Sequence, residues 1–357
     1  MSATTPTAPE TAKRTSLLRP AEKVDGKFLN PVPTELGTFS LALKVLPMYV
    51  RNRAERVPKT PLGPFRTDPA VYKSAPSSGL RITWMGHTSM LLEIDGITLL
   101  IDPVWEERAS PAQWFGPKRF FPAPLALEDL PRLDAVLISH DHYDHLGGHT
   151  IRHLAHAEQT RAAAWITSLG VDKFLRRQGV PAERITALNW TEVCTVDNHD
   201  RTRSIEITAL PARHFSGRSP TNRFETLWSS FVLRGPRHRV YFGADSGWWE
   251  GFAEIGQQFG PFDLALLEIG AFHPLWREIH LGPEGAIRAF EALASAGLLM
   301  PIHWGLFDLA LHGWRDPIEQ ITVLADERSI RLWSPTPGVP TEVVAGTELR
   351  SDWWRPR

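Results

Sequence analysis

The sequence has 357 residues, 42% apolar and 22% charged, which is enough apolar material for a large core and too much for a chain disordered throughout. Lys and Arg number 39 against 40 Asp and Glu, and the net charge of −1 excludes bulk nucleic-acid binding through a basic surface. The single cysteine, Cys194, cannot close an internal disulfide and reads as a small buried hydrophobe rather than a nucleophile.

Residues 1–35 are rich in Thr, Ala and Pro without clean periodicity and read as a partly ordered arm. Over 36–57, Phe39, Leu43, Leu46 and Val50 recur at helical spacing, interleaved with Lys44, Arg51, Arg53 and Arg56, and Pro47 kinks the run. Packing on the main body is favoured over a membrane-surface helix. Pro-rich residues 58–78 look like a linker, so the organisation expected is an arm and helix over 1–78 and a catalytic domain over 79–357. Arg81–Met85, Ser89–Ile94 and Ile97–Ile101 read as strands, and Asp95-Gly96 as a hairpin turn whose two positions want positive φ. After Asp102-Pro103 a Pro- and aromatic-rich loop runs to about Pro124. Asp134–Ser139 is a buried strand ending at His140.

Helices fit 148–158 and 170–178, and short strands fit 185–190, 204–210, 226–234 and 238–243. Phe262–Ile269 is another buried strand, Pro283–Ala296 a helix with Pro at its start, and Leu298–Ile302 the last strong strand, ending at His303. Mixed strands and helices with histidines at strand ends imply an α/β protein whose site lies on loops at one edge. No apolar run reaches membrane-span length and Met1–Pro20 carries no signal-type stretch, so a cytoplasmic location is the default, with peripheral membrane attachment and a homodimer left open.

His140, His142, Asp144 and His145 fall within six residues, and imidazole and carboxylate donors suit a borderline ion such as zinc. Alternate residues leaving a strand point the same way, so His140 and His142 can face one point, and Asp144 and His145 a neighbouring one. A polar surface loop is the bland competing reading, and it gives no use for this spacing. Four such groups suit two metals better than one if further ligands arrive from elsewhere. His214, Asp245 and His303 each stand where a strand gives way to a loop. Singly each is an ordinary polar residue; together with 140–145 they complete a seven-residue set.

This order of motifs resembles the metallo-β-lactamase superfamily, and within it the branch of N-acyl-phosphatidylethanolamine phospholipase D and the RomA-like proteins. The matching stretches include Trp84-Met85-Gly86-His87-Thr88, Ile101-Asp102-Pro103, Arg108-Ala109-Ser110-Pro111, Gly116-Pro117-Lys118-Arg119, Ala135–Leu146 and His303-Trp304-Gly305, spread over about residues 80–315. The resemblance implies a four-layer α/β/β/α sandwich. It also implies that His140, His142 and His214 hold one zinc, that Asp144, His145 and His303 hold the other, and that Asp245 bridges them. Ala244 departs from the Gly usual before the bridging Asp.

Two such ions share a hydroxide and clamp the oxygens of an in-line displacement, with Asp144 and Asp245 holding them. Asp102 is the candidate for orienting a ligand imidazole, against an Asp that merely opens a turn. His280 matches a family histidine near the site and is the candidate to touch phosphate or leaving group; His87 could do so from the other side. Trp114-Phe115 and Phe120-Phe121 around Lys118-Arg119, with Trp276, would suit an amphiphilic anion. The favoured activity is therefore hydrolysis of N-acyl-phosphatidylethanolamine-like phospholipids. A metal-dependent lactonase or carboxylic-ester hydrolase is the runner-up, a tRNA-processing nuclease falls behind for lack of basic surplus, and a non-catalytic metal-binding scaffold sits poorly with so full a ligand set.

Overall fold

The computed structural model describes residues 16–35, 47–48, 54–295, 297–344 and 349–355. Seven strands form one sheet in the order β15-β3-β4-β5-β6-β7-β8: β3 (Leu80–Gly86), β4 (Ser89–Ile94), β5 (Ile97–Ile101), β6 (Ala135–Ile138), β7 (Ala164–Ser168), β8 (Ile185–Leu188) and β15 (Thr341–Glu342). Six form the other, in the order β14-β13-β12-β11-β10-β9: β9 (Val193–Asp197), β10 (Ser204–Leu210), β11 (Ser230–Arg234), β12 (Arg239–Phe242), β13 (Leu264–Glu268) and β14 (Leu298–Ile302). A hairpin of β1 (Lys23–Val24) and β2 (Lys27–Phe28) lies in the arm.

The two-residue side-chain period decides the layering. In the first sheet Ile82, Trp84, Leu92, Leu99, Ile101 and Leu137 face the second sheet, while Met85, Leu91, Leu100, Val136 and Trp165 face outward. The outward set is covered by Ile151 and Leu154 of α1 (Gly148–His156) and Leu175 of α2 (Asp172–Arg177). The second sheet is covered by Phe252 and Ile255 of α3 (Gly251–Phe259), Ile287 and Phe290 of α4 (Gly282–Ala292), and Ile318 and Ile321 of α5 (Asp316–Glu327). The result is the expected α/β/β/α sandwich. β5 and β6 run parallel, as do β12, β13 and β14, so within each sheet these strands release their C-terminal residues at one edge.

The Asp95-Gly96 turn forms as expected, with φ of 50° and 90°. Asp95 also ties the sheets together, accepting from the backbone N–H of Arg237 (2.8 Å) and His238 (3.0 Å) in the β11–β12 turn. Among the described residues β1, β2, β7, β9, β15, α3 and α5 escaped the sequence reading. Edge strand β9 alternates exposed Val193 with half-buried Cys194, too weak a pattern to stand out. α3 carries Gly251 and Gly256, poor helix formers, and persists because its Phe252 and Ile255 are buried. The expected linker over 58–78 contains a 3₁₀ turn, Pro69–Lys73, capped by Asp68 Oδ1 on Ala70 N at 2.9 Å. The helix expected over 36–57 lies almost wholly outside the described residues; Pro47 and Met48 within it are helical. Among the described residues no helix is long and apolar enough to cross a membrane.

Candidate metal centre

The five imidazoles and two carboxylates at this edge arrive on segments that follow strands, and hydrogen bonds on the outer sides of His140, His145 and His214 fix which nitrogen faces inward. Asp102 directly follows β5 and is a fully buried residue in the left-handed region with φ 41°. Its carboxylate accepts from Ser139 N at 2.8 Å, Ser139 Oγ at 2.7 Å and His145 Nδ1 at 2.8 Å. The Ser139 proton is thus committed to Asp102, and its Oγ, 3.0 Å from His140 Nδ1, accepts from that ring. His214 Nδ1 donates to Ile279 O at 2.9 Å. His140, His145 and His214 each turn Nε2 toward a common space.

There the ligand atoms gather in three adjoining groups among the described residues. His140, His142, His214 and Asp245 form one, His87, Asp144, His145 and His303 a second, and Asp245, Glu268, His280 and His303 a third that shares members with both, each with its ligand atoms within 4.8 Å of one another. In the first, His142 Nδ1 lies 2.8 Å from His140 Nε2 and 3.3 Å from His214 Nε2. Asp245 stands between the first two: its Oδ2 is 3.5 Å from His214 Nε2 and 3.1 Å from His303 Nε2, and its Oδ1 3.2 Å from His145 Nε2. Ala244, before it, has φ 48°, a conformation that costs a non-glycine residue roughly 1–2 kcal/mol and accounts for a glycine preference there.

Electrostatics divide the first two groups. Burial and neighbouring imidazoles push His140 well below its ordinary range; burial does the same to His214 against the pull of Asp245. Both are neutral, with lone pairs free to bind a cation. Burial also opposes charge on His145 and His303, but Asp245 and Asp144 outweigh it, raising His145 well above its ordinary range and His303 to about 10. Burial opposes ionisation of Asp144, yet His145 and its neighbours hold it well below the carboxylate range. The carboxylates therefore demand positive charge here, and a bound cation would displace those protons. Several buried atoms find no hydrogen-bond partner among the described residues: His145 Nε2, Asp245 Oδ1, and both nitrogens of His303. Bare buried polar atoms of ligand type, aimed at one another, fit a metal.

A recess of about 300 Å³ opens over the centre, lined by His142, Asp144, His214 and His303 and walled by Phe215, Trp276, Ile279 and Leu309. His280 lines it too, with Nδ1 bonded at 2.6 Å to Glu268 Oε2. Glu268, absent from the sequence reading, ends β13 fully buried and also accepts from Ser246 N at 2.8 Å. An acidic residue closing the apolar run Leu264–Leu267 was its signal. Arg223, whose guanidinium lies 4.9 Å over the Phe215 ring, is a second lining residue that spacing could not reveal.

The other expected substrate contacts fall elsewhere, Trp276 excepted. His87 is buried at 1% exposure in the second group, its Nε2 2.9 Å from Asp144 Oδ2, and burial together with His303 drives its pKa down to about 3. Arg119 is tucked inside, donating to Trp105 O at 3.1 Å, and burial lowers its pKa to about 10. Lys118 pairs with Glu107 at 2.7 Å. Both border a different cavity, with Phe120 and Phe121, and neither lines the recess. Trp114 and Phe115 are exposed, at 85% and 65%, and line it no more than these do. The reason is local: Arg108 folds the loop on itself, donating to Gln113 O at 3.1 Å and Gly116 O at 2.6 Å.

Residues 98–304 match the family described as a beta-lactamase superfamily domain. An uncharacterized protein of Mycobacterium tuberculosis is 41% identical over 336 residues, 93% of this chain and 86% of its own. The N-acyl-phosphatidylethanolamine-hydrolyzing phospholipase D 1 of Caenorhabditis elegans is 36% identical over 258 residues, 70% of this chain and 71% of its own. Among solved structures, the metallo hydrolase Igni18 of Ignicoccus hospitalis superposes with a TM-score of 0.56 at 20% identity, covering 74% of this chain and 98% of that one, a likeness of fold.

Proposed function

The chain belongs to the metallo-β-lactamase superfamily, in the branch of the N-acyl-phosphatidylethanolamine-hydrolyzing phospholipases D and RomA-like proteins, and is a metal-dependent hydrolase; from that premise we propose a two-zinc phosphodiesterase of phospholipase D type acting on N-acyl-phosphatidylethanolamine-like lipids. In this reading His140, His142 and His214 hold one ion, Asp144, His145 and His303 the other, and Asp245 lies between. The donor set of imidazoles and carboxylates suits zinc. When bound, such a pair supplies a nucleophilic hydroxide at neutral pH and neutralises phosphoryl oxygens.

The chain's own residues do the rest. His87 and Asp102 orient Asp144 and His145 from behind. Arg223 draws the anionic diester into the recess, and Phe215, Trp276, Ile279 and Leu309 hold the acyl portion and exclude water. Glu268 occupies Nδ1 of His280, so Nε2 is the atom left to contact the phosphate or the departing alcohol. The observation that carries the reading is this apolar wall with one guanidinium beside the ligand cluster, which suits an amphiphilic anion better than a neutral lactone. The test offers N-acyl-phosphatidylethanolamine, a soluble aryl phosphodiester and a simple lactone to one zinc-loaded sample. The expected result is release of N-acylethanolamine at a rate rising with acyl length. Fast lactone opening with no phosphorus chemistry would overturn it in favour of an ester hydrolase.

A further inference from the structure

His214 differs from His140 and His303 in how its backbone is held. His140 comes one residue after Ser139, whose N–H and Oγ are both bonded to Asp102, and His303 follows β14 directly, with its N–H on His87 O at 3.0 Å. His214 lies four residues beyond the end of β10, in a segment without regular structure. A loop ligand must have its main chain fixed by something else if its ring is to keep a set direction.

The arm supplies that. Asn30 Nδ2 donates to His214 O at 2.7 Å, and Asn30 Oδ1 accepts from His214 N at 2.9 Å, so one side-chain amide, 184 residues away in sequence, satisfies both backbone groups of the ligand. The residues after it grip the neighbours. Pro33 O and Thr34 Oγ1 accept from the Arg213 guanidinium at 2.9 and 3.0 Å, and Arg213 pairs with Glu278 at 2.7 Å. Glu35 N donates to the same Glu278 carboxylate at 2.6 Å. Glu278 precedes Ile279, whose carbonyl takes the His214 Nδ1 proton. The strap thus holds His214 from its backbone and steadies the segment that sets its tautomer.

We propose that Asn30 is a positioning residue for the metal centre, fixing the His214 backbone so that Nε2 stays aimed at His140 and His142; this rests on the two-ion reading above. Asn30→Ala removes both bonds and leaves the ligand's chain free to shift. Outer partners of metal ligands are worth roughly 10–100-fold in affinity. Under chelator competition, followed by ions retained per chain, Asn30→Ala should release one ion that much more readily and keep the other at the parent's constant. Asn30→Asp, which keeps the acceptor for His214 N and loses the donor to His214 O, should fall between. Asn189→Ala is the control: it removes the acceptor for Ala21 N, 2.9 Å away, and loosens the same arm at Ala21 while leaving both Asn30 bonds to His214 in place. It should leave both constants within about threefold of the parent's. Melting of the metal-stripped proteins checks that each variant folds. If Asn30→Ala keeps both ions at the parent's constants, or Asn189→Ala weakens the same ion equally, the proposal fails while the centre stands. A parent that binds one ion or none overturns the two-ion reading and this inference with it.

Discussion

Asp102→Asn should spare the fold and cost the centre one well-held ion, whereas Asp102→Ala should cost both. The carboxylate is fully buried and accepts three hydrogen bonds, from Ser139 N, Ser139 Oγ and His145 Nδ1. Alanine leaves those donors without a partner. The hydroxyl can turn elsewhere and Thr88 Oγ1, 3.2 Å from His145 Nδ1, can accept from that ring, but the Ser139 amide keeps no partner, and one buried orphan costs about 1–3 kcal/mol. At about 2 °C per kcal/mol for a large chain, the melt should fall by roughly 2–6 °C. Asparagine keeps an acceptor for Ser139 N and presents an N–H to His145 Nδ1. That ring must then carry its proton on Nε2, the atom 3.2 Å from Asp245 Oδ1, and a protonated nitrogen binds no metal. The expected loss is roughly 10–100-fold in affinity for one ion. Thermal melts of metal-stripped protein and chelator competition read the two effects separately. An Asp102→Asn variant that binds metal as the parent does would refute the argument that this carboxylate sets the His145 tautomer.

Asp245→Asn in zinc-loaded protein should cut turnover by about 100-fold or more while the melt stays near the parent's, because β12 and its packing remain; near-normal turnover would remove Asp245 from between the ions. Arg223→Ala should raise KM for anionic diesters and leave a neutral ester or lactone unchanged, an outcome that parallel kinetics on both substrate types decides. Arg119→Ala should destabilise through its buried guanidinium, Lys118→Ala should shift the melt by less than about 0.5 kcal/mol equivalent, and neither should discriminate anionic from neutral substrates. Burial opposes the charge on Asp95, but hydrogen bonds from Arg237 N and from His238 hold its pKa below the ordinary carboxylate value. A depressed folded pKa stabilises above the unfolded value of about 3.9 and loses that contribution as pH falls through the folded one. Acid melts should therefore show Asp95→Asn destabilised at neutral pH, with the gap to the parent closing below about pH 4.

Much of the sandwich was legible because its strands are buried on both faces and read as unbroken apolar runs, as Leu137-Ile138 before His140 and Met300–Ile302 before His303 show. His140, Asp245 and His303 were legible for the same reason, since each stands within three residues of the end of such a run, whereas His142, Asp144 and His145 were legible from their spacing. Glu268 was missed although it stands in the same place, because a lone acid after Leu264–Leu267 has no partner in sequence; His280, 12 residues on, meets it only through the loop that β13 releases. The Lys118-Arg119 pair misled for the opposite reason. Adjacent charges look like a surface, and nothing in spacing shows that Trp105 O takes one of them inside. The arm hid its order in two-residue strands around Asp25-Gly26, with φ of 49° and 79°, too short for periodicity to register. Asn30 could not be singled out at all, because its partner is the backbone of a residue far along the chain.

The central claim is that His140, His142, His214, Asp144, His145, His303 and Asp245 together hold two ions, and it is tested most directly by counting them. Elemental analysis of well-folded protein purified without chelator should give close to two transition-metal ions per chain, chiefly zinc. One ion or none in such a sample would contradict it.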